Sequence, residues 1–186
     1  MSKIKKWVPY VLLVVVSLIS LFPFYMMVTM STFKTENMFK TIPLYFSDYL
    51  INNLKTVLAS NFLKSYLNSL IVSCTATILC TLISAMIGYS LVAYNFKLKK
   101  FLQNLIMLTM MVPVQLGVVG YMIEMRTMHM TGTMFPMILI WLANGFGAYW
   151  MMQYIESSFP LELVESARID GAGEFRIFGS IALPCI

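Results

Sequence analysis

Charge is distributed along this chain in a way that leaves few folds open. Four intervals contain no Asp, Glu, Lys or Arg: Trp7–Phe33, Ser65–Phe96, Phe101–Ile123 and Thr127–Ile155, the shortest of them 23 residues long. A helix crossing a bilayer needs about 20 predominantly apolar residues, so each interval can hold one. The runs are long and continuous and lack strict alternation, which favours helices over the strands of a membrane barrel. Spans are expected at Trp7–Met30, Asn68–Tyr94, Phe101–Ile123 and Met134–Tyr154. A fifth apolar run begins at Ile177 and has only ten residues through Ile186, too few to cross, which suggests a chain cut short. Composition agrees: 59% of the residues are hydrophobic and 11% charged, where a soluble domain carries about a quarter charged residues. The net charge of +5 does not indicate nucleic-acid binding, because the basic residues flank apolar runs instead of lining one face.

The first run follows Lys3, Lys5 and Lys6, as a signal peptide would, but its apolar stretch is too long and no small-residue cleavage site follows. It reads as an uncleaved anchor. With the N-terminus in the cytoplasm, Lys3, Lys5, Lys6, Lys97, Lys99, Lys100, Arg168 and Arg176 lie inside, and Lys34, Lys40, Lys55, Lys64 and Arg126 outside. The excess inside is the expected bias. This arrangement makes 1–6 a cytoplasmic N-terminus and 7–186 a single transmembrane domain. Within it, 31–67 is an external segment, expected as two short surface helices, and 156–176 a cytoplasmic loop. Glu124–Gly132 becomes a short external turn whose His129 is assigned no role.

The cytoplasmic loop carries five carboxylates and two arginines. Pro160 suits a helix start and Glu162 favours the positive end of the helix dipole. Leu161, Val164 and Ala167 recur every three residues as an apolar stripe on a helix of about nine residues. Asp170-Gly171 stops it, and a second helix is expected from near Gly173.

The residues here resemble a known signature. Glu165-Ser166-Ala167, Gly171 after three more residues, and then Ile181-Ala182-Leu183-Pro184 is similar to the EAA motif of binding-protein-dependent ABC importer permeases. Ala167-Arg168-Ile169-Asp170-Gly171-Ala172 followed by Phe178 looks like the carbohydrate branch, of maltose or multiple-sugar type. Tyr66-Leu67-Asn68-Ser69-Leu70, the Tyr94–Lys100 turn and Met111-Val112-Pro113 sit where that branch has similar residues. Ser166 departs from the usual Ala.

The resemblance implies an all-α permease bundle in a prokaryotic cell membrane, with four complete spans and the start of a fifth. It implies a second permease subunit, two cytoplasmic ATPase subunits that bind the ATP, and an extracytoplasmic solute-binding protein. No cofactor or metal is implied for this chain. Leu161, Val164, Glu165, Ser166, Ala167, Arg168, Asp170, Gly171 and Ala172 would form the ATPase-coupling element, with Leu161 and Val164 as apolar filling and Gly171 as the turn.

Two polar residues near the middle of spans, Gln115 and Asn144, are candidates for a translocation pathway or for hydrogen bonds between helices. The sequence contains neither GxxxxGK[ST], HExxH nor GxSxG, so an ATPase or an intramembrane enzyme lacks its motif. A structural or sensory membrane protein leaves the EAA spacing unexplained. The alternatives that remain are a permease for another solute, such as a polyamine or a glycerol phosphate ester, and an inactive truncated remnant.

Overall fold

Twenty-four residues without a charge, apolar apart from a few such as Ser17, Ser20 and Thr29, leave the first run little choice but helix. In the computed structural model, α1 spans Lys3–Met30 and its side chains from Trp7 onward are almost all exposed, as suits a helix facing lipid or other helices. The structure describes residues 3–38 and 42–186, and side chains from Trp7 onward. The side chains of Lys3, Lys5 and Lys6, and the whole of Lys40, counted above for orientation, lie outside the described residues. Among the described residues every regular element is helical.

The chain divides into two compact units, Met1–Tyr66 and Leu67–Ile186. In the first, the segment after α1 folds back on its end. Thr32 Oγ1 accepts from the Ser47 amide at 2.8 Å, and its carbonyl accepts from the Tyr49 amide at 3.0 Å. Asn53 Nδ2 donates to the carbonyls of Ser31 and Phe33, both at 2.8 Å. The Phe33 ring meets Tyr45 edge-on at 5.2 Å. Among its described residues the segment holds one 3-10 turn, Thr35–Asn37, and one α-helix, α2 (Leu50–Ala59), where two short helices were expected.

α3 (Phe62–Ala93), which belongs to the second unit from Leu67 onward, starts six residues before the expected span and ends one before its expected end. The third and fourth runs are each broken. α4 (Lys99–Met111) and the segment Val114–Thr127, which ends in α5 (Val118–Thr127), meet at 89°. Pro113 causes this: it lacks an amide hydrogen and forces Val112 into extended backbone, ψ 120°. α6 (Phe135–Leu142) and α7 (Gly145–Ser158) meet at 42°, with no proline at the break. By length and composition, two helices can cross a membrane, or up to four if each bent pair is one span.

Small residues set the spacing of α3 and α7. A Cβ on Gly88 would lie 2.8 Å from Met151 Cβ and from the Met152 amide nitrogen, and Ser84, Ala85 and Ala148 are buried beside it. Backbones approach this closely only where side chains are missing or small. Beyond α7 come α8 (Glu162–Ile169) and α9 (Glu174–Ile177), the latter running on through a π-helical turn, Phe178–Ala182. Tyr89, Ile155, Phe159, Val164, Ala167, Ile177 and Ala182 form the core that joins α3, α7, α8 and α9.

Candidate functional site

The site is the helix–turn–helix that α8 and α9 make at one end of this core. Glu162 and Glu165 occupy the first turn of α8 and Arg168 its last, the arrangement that complements the helix dipole. Leu161 sits at the N-cap, 37% exposed. α8 has eight residues, one fewer than expected, because Pro160 precedes the helix as a turn residue whose carbonyl accepts from the Leu163 amide.

The turn after α8 has a specific hydrogen-bond pattern. The Gly171 amide donates to the Arg168 carbonyl at 3.1 Å, and the Ala172 amide donates to the Ala167 carbonyl at 2.9 Å. Gly171 lies between them at φ +78°. This is the Schellman arrangement, with glycine at the left-handed position and an apolar residue beyond it packed back on the helix. Ala172 is half-buried against the core beside Ala167. Gly171 is therefore required by backbone geometry, since a Cβ there would touch nothing within 4 Å.

The apolar stripe has the expected spacing but faces inward. Val164 is 1% exposed and Ala167 7%, both packed in the chain's own core. The reading of Val164 as filling for a partner's cleft is corrected by this burial: it anchors α8 to the bundle and is not available to another protein. The outward set is different. Glu165, Ser166 and Asp170 are exposed, and Ser166 Oγ donates only to the Glu162 carbonyl, at 2.8 Å. Two large apolar side chains to which the sequence reading gave no role are the most exposed of the region, Ile169 at 86% and Phe175 at 89%. They flank Gly171 in sequence, and this is the signal that could have found them.

Arg168 is engaged within the chain. Its Nε donates to Glu174 Oε1 at 2.7 Å and its second guanidinium nitrogen to Oε2 at 3.2 Å. Tyr94, just past the end of α3, donates its hydroxyl to Glu174 Oε2 at 2.5 Å, and the Arg168 guanidinium stands over the Tyr94 ring at 5.3 Å. Glu174 is the hub, and sequence reading missed it. The Arg168 and Tyr94 hydrogen bonds hold its carboxyl below the usual range, and the hydrogen bond to Glu174 in turn raises Arg168 further above its already high value. The cluster ties the loop to the end of α3.

The two mid-span candidates fall on the helix breaks. Gln115 is exposed on the 3-10 turn Val114–Gly117 after Pro113. Asn144 is half-buried and caps α7: its Oδ1 accepts from the Gly147 amide at 3.2 Å, and its Nδ2 lies 3.7 Å from Cys80 Sγ. His129 stands at φ +55° at the end of α5, its amide donating to the Arg126 carbonyl at 3.1 Å and the Met130 amide to Met125 at 3.0 Å. It fills the same left-handed position that Gly171 fills, a structural task that sequence reading did not give it.

Residues 78–186 match the family described as binding-protein-dependent transport system inner membrane component. The arabinooligosaccharides transport system permease protein of Bacillus subtilis is 31% identical over 125 residues, covering 67% of this chain and 44% of that protein. The maltodextrin transport system permease protein of Streptococcus pneumoniae is 28% identical over 184 residues, covering 95% of this chain and 64% of that protein. The chain thus spans less than two thirds of these relatives' length. A chain of a bacterial ABC transporter involved in the import of the acidic polysaccharide alginate shares the fold, with a TM-score of 0.82 and 22% identity over 99% of this chain and 66% of that one.

Proposed function

The chain belongs to the binding-protein-dependent transport system inner membrane component family, and from that premise we propose that it supplies the membrane bundle of one permease subunit in an ATP-driven sugar importer. The observation that carries the reading is the α8–α9 turn. It is built with one side locked into the chain's own core and the other left free, as a part that another protein grips must be. Relatives named for arabinooligosaccharides and maltodextrin favour a sugar over a polyamine or a glycerol phosphate ester.

On this reading the bundle lies in the plasma membrane with the N-terminus and the 156–176 loop in the cytoplasm. The two bent pairs each make one span, giving four. A second permease subunit completes the pathway, a solute-binding protein delivers the sugar from outside, and two ATPase subunits bind the ATP. One of them receives the turn.

The docking face is then Leu161, Glu165, Ile169, Asp170 and Phe175. Ile169 and Phe175 insert as apolar anchors, and Glu165 and Asp170 offer charge to basic groups. Val164, Ala167 and Ala172 hold the helix from behind, while Gly171 sets its exit angle. Closure of the ATPase pair on ATP moves the turn, and because α8 shares one core with α3 and α7, those helices move with it. Well-packed interiors transmit displacement in this way because they deform little.

Reconstitution tests the function. Assemble the full-length permease with its partners in proteoliposomes and measure ATP-dependent uptake of labelled oligosaccharide with and without the binding protein. Uptake that needs ATP, the ATPase subunits and the binding protein is expected. Uptake independent of ATP would contradict the reading.

A further inference from the structure

The α8–α9 turn is held by two kinds of contact that do different things. Val164, Ala167 and Ile177 seat it in the apolar core. Apolar attraction is non-directional, so it resists pulling α8 away from α3 and resists rotation of one against the other much less. Hydrogen bonds to an ionised group are directional, and a guanidinium–carboxylate fork more so. Glu174 supplies this second kind. It accepts two bonds from Arg168 and one from the Tyr94 hydroxyl, so a single carboxylate pins the last turn of α8, the first turn of α9 and the end of α3. Each of these contacts is made by the chain with itself.

Tyr94 is the member that lies outside the loop. It follows Ala93, the last residue of α3, and its amide still donates to the Ser90 carbonyl at 3.3 Å, so it moves with that helix. It also opens the short connection, 94–98, that leads into α4. Its ring carries the Arg168 guanidinium at 5.3 Å and stands edge-on to Tyr89 at 6.0 Å. Tyr89 is buried, with Phe159 after α7 and Phe178 after α9 beside its ring, at 6.4 and 5.4 Å. The Tyr94 hydroxyl thus closes a continuous chain of contacts from the loop's carboxylate to the aromatic centre of the core.

We propose that Tyr94 is a positioning residue for coupling: by holding Glu174 it fixes the orientation of the α8–α9 turn on α3, so that a displaced turn carries α3 with it instead of slipping over its apolar seat. This inference rests on the permease reading above. Without the hydroxyl, the ATPase pair still closes and ATP is still hydrolysed, but less of the motion reaches the helices. Fewer solute molecules then cross per ATP.

Tyr94→Phe keeps the ring, with its aromatic and guanidinium contacts, and deletes only the hydroxyl. The variant is tested in the full-length permease, assembled with its partners in proteoliposomes and supplied with labelled maltotriose or arabinotriose, whichever it carries. The ratio of sugar taken up to ATP hydrolysed should fall several-fold, with the ATPase subunits fully retained on purification. A role confined to folding or docking would lower uptake, hydrolysis and retention together and leave the ratio unchanged. Glu174→Ala should lower the ratio as well, and the double variant should fall no further than Glu174→Ala alone, because the hydroxyl's partner is already gone. Tyr25→Phe is the control: it deletes a hydroxyl that donates to the Leu44 carbonyl at 2.6 Å, and the ratio should not change. An unchanged ratio in Tyr94→Phe or Glu174→Ala, losses that add in the double variant, or an equal fall in Tyr25→Phe overturns the positioning role while leaving the permease reading standing. An unaltered assembly that neither retains its ATPase subunits nor takes up any solute refutes the permease reading, and the positioning role with it.

Discussion

Replacing Gly171 by valine puts a β-branched side chain where the backbone has φ +78°. The left-handed conformation costs an L-residue about 1–2 kcal/mol, and up to about 3 where the site is over-determined. Escape to negative φ would break the Gly171–Arg168 and Ala172–Ala167 hydrogen bonds, each worth about 1 kcal/mol net. Strain and escape cost nearly the same, so the turn should populate a distorted form. Because a Cβ at 171 meets nothing within 4 Å, steric contact adds no further cost. That isolates the backbone as the cause and fixes an order: asparagine, which tolerates the left-handed region, then alanine, then valine. Gly173 is the control. It lies two residues on at φ −72° with equally open surroundings, so Gly173→Ala should be nearly silent. In the full-length permease, retention of the ATPase subunit on purification and solute uptake should fall together in the order Asn, Ala, Val, with membrane insertion unchanged. Normal uptake in Gly171→Val, or an equal loss in Gly173→Ala, would show that coupling does not depend on the left-handed turn at Gly171.

Gly88→Leu should be far more damaging to assembly than Gly120→Leu, whose Cβ position is open, because Gly88 leaves no room against Met151 and Met152; thermal aggregation of the detergent-purified protein compares them. Ser166→Ala should leave uptake unchanged, since it removes only an exposed bond to the Glu162 carbonyl within the helix. His129→Gly should stabilise by about 0.5–1 kcal/mol, because glycine relieves the positive φ at that helix end, and a small rise in melting temperature would report it. Glu174 has its pKa lowered by Arg168 and Tyr94, so its contribution is present above the ordinary carboxylate pKa and is lost as pH falls through the lowered folded value. Glu174→Gln should abolish that acid-side dependence of the loop's stability, read by hydrogen exchange of 168–174 at a series of pH values.

The helices were legible because removal of charge over more than 20 residues is a strong and local signal. The α8 turn was legible too: Pro160, the first-turn acids and Asp170-Gly171 are each local punctuation. What escaped reading depends on partners distant in sequence. Spacing identified Val164 and Ala167 as one stripe, but whether that stripe meets its own bundle or another protein is decided by α3, α7 and α9. Glu174 was read as one acid among five, because its value lies in Arg168 and in Tyr94, eighty residues earlier. Pro113 lies inside the expected span Phe101–Ile123, and the 89° angle at it depends on how the following turn is packed. The break at Asn144 had no proline to mark it. A mid-run asparagine followed by Gly145 and Gly147 is compatible with the N-cap it forms and equally with a polar residue in an unbroken helix.

On the proposed function, the free side of the α8–α9 turn is gripped by an ATPase subunit. A photoreactive amino acid placed singly at positions 164, 169 and 175 of the full-length permease, in membranes containing the complete transporter, tests it directly. Irradiation should join positions 169 and 175 to the ATPase subunit. Position 164, with its side chain 1% exposed in the chain's own core, should give no such adduct. An adduct from 164, or none from 169 and 175 in a transporter that is active in uptake, would contradict the account.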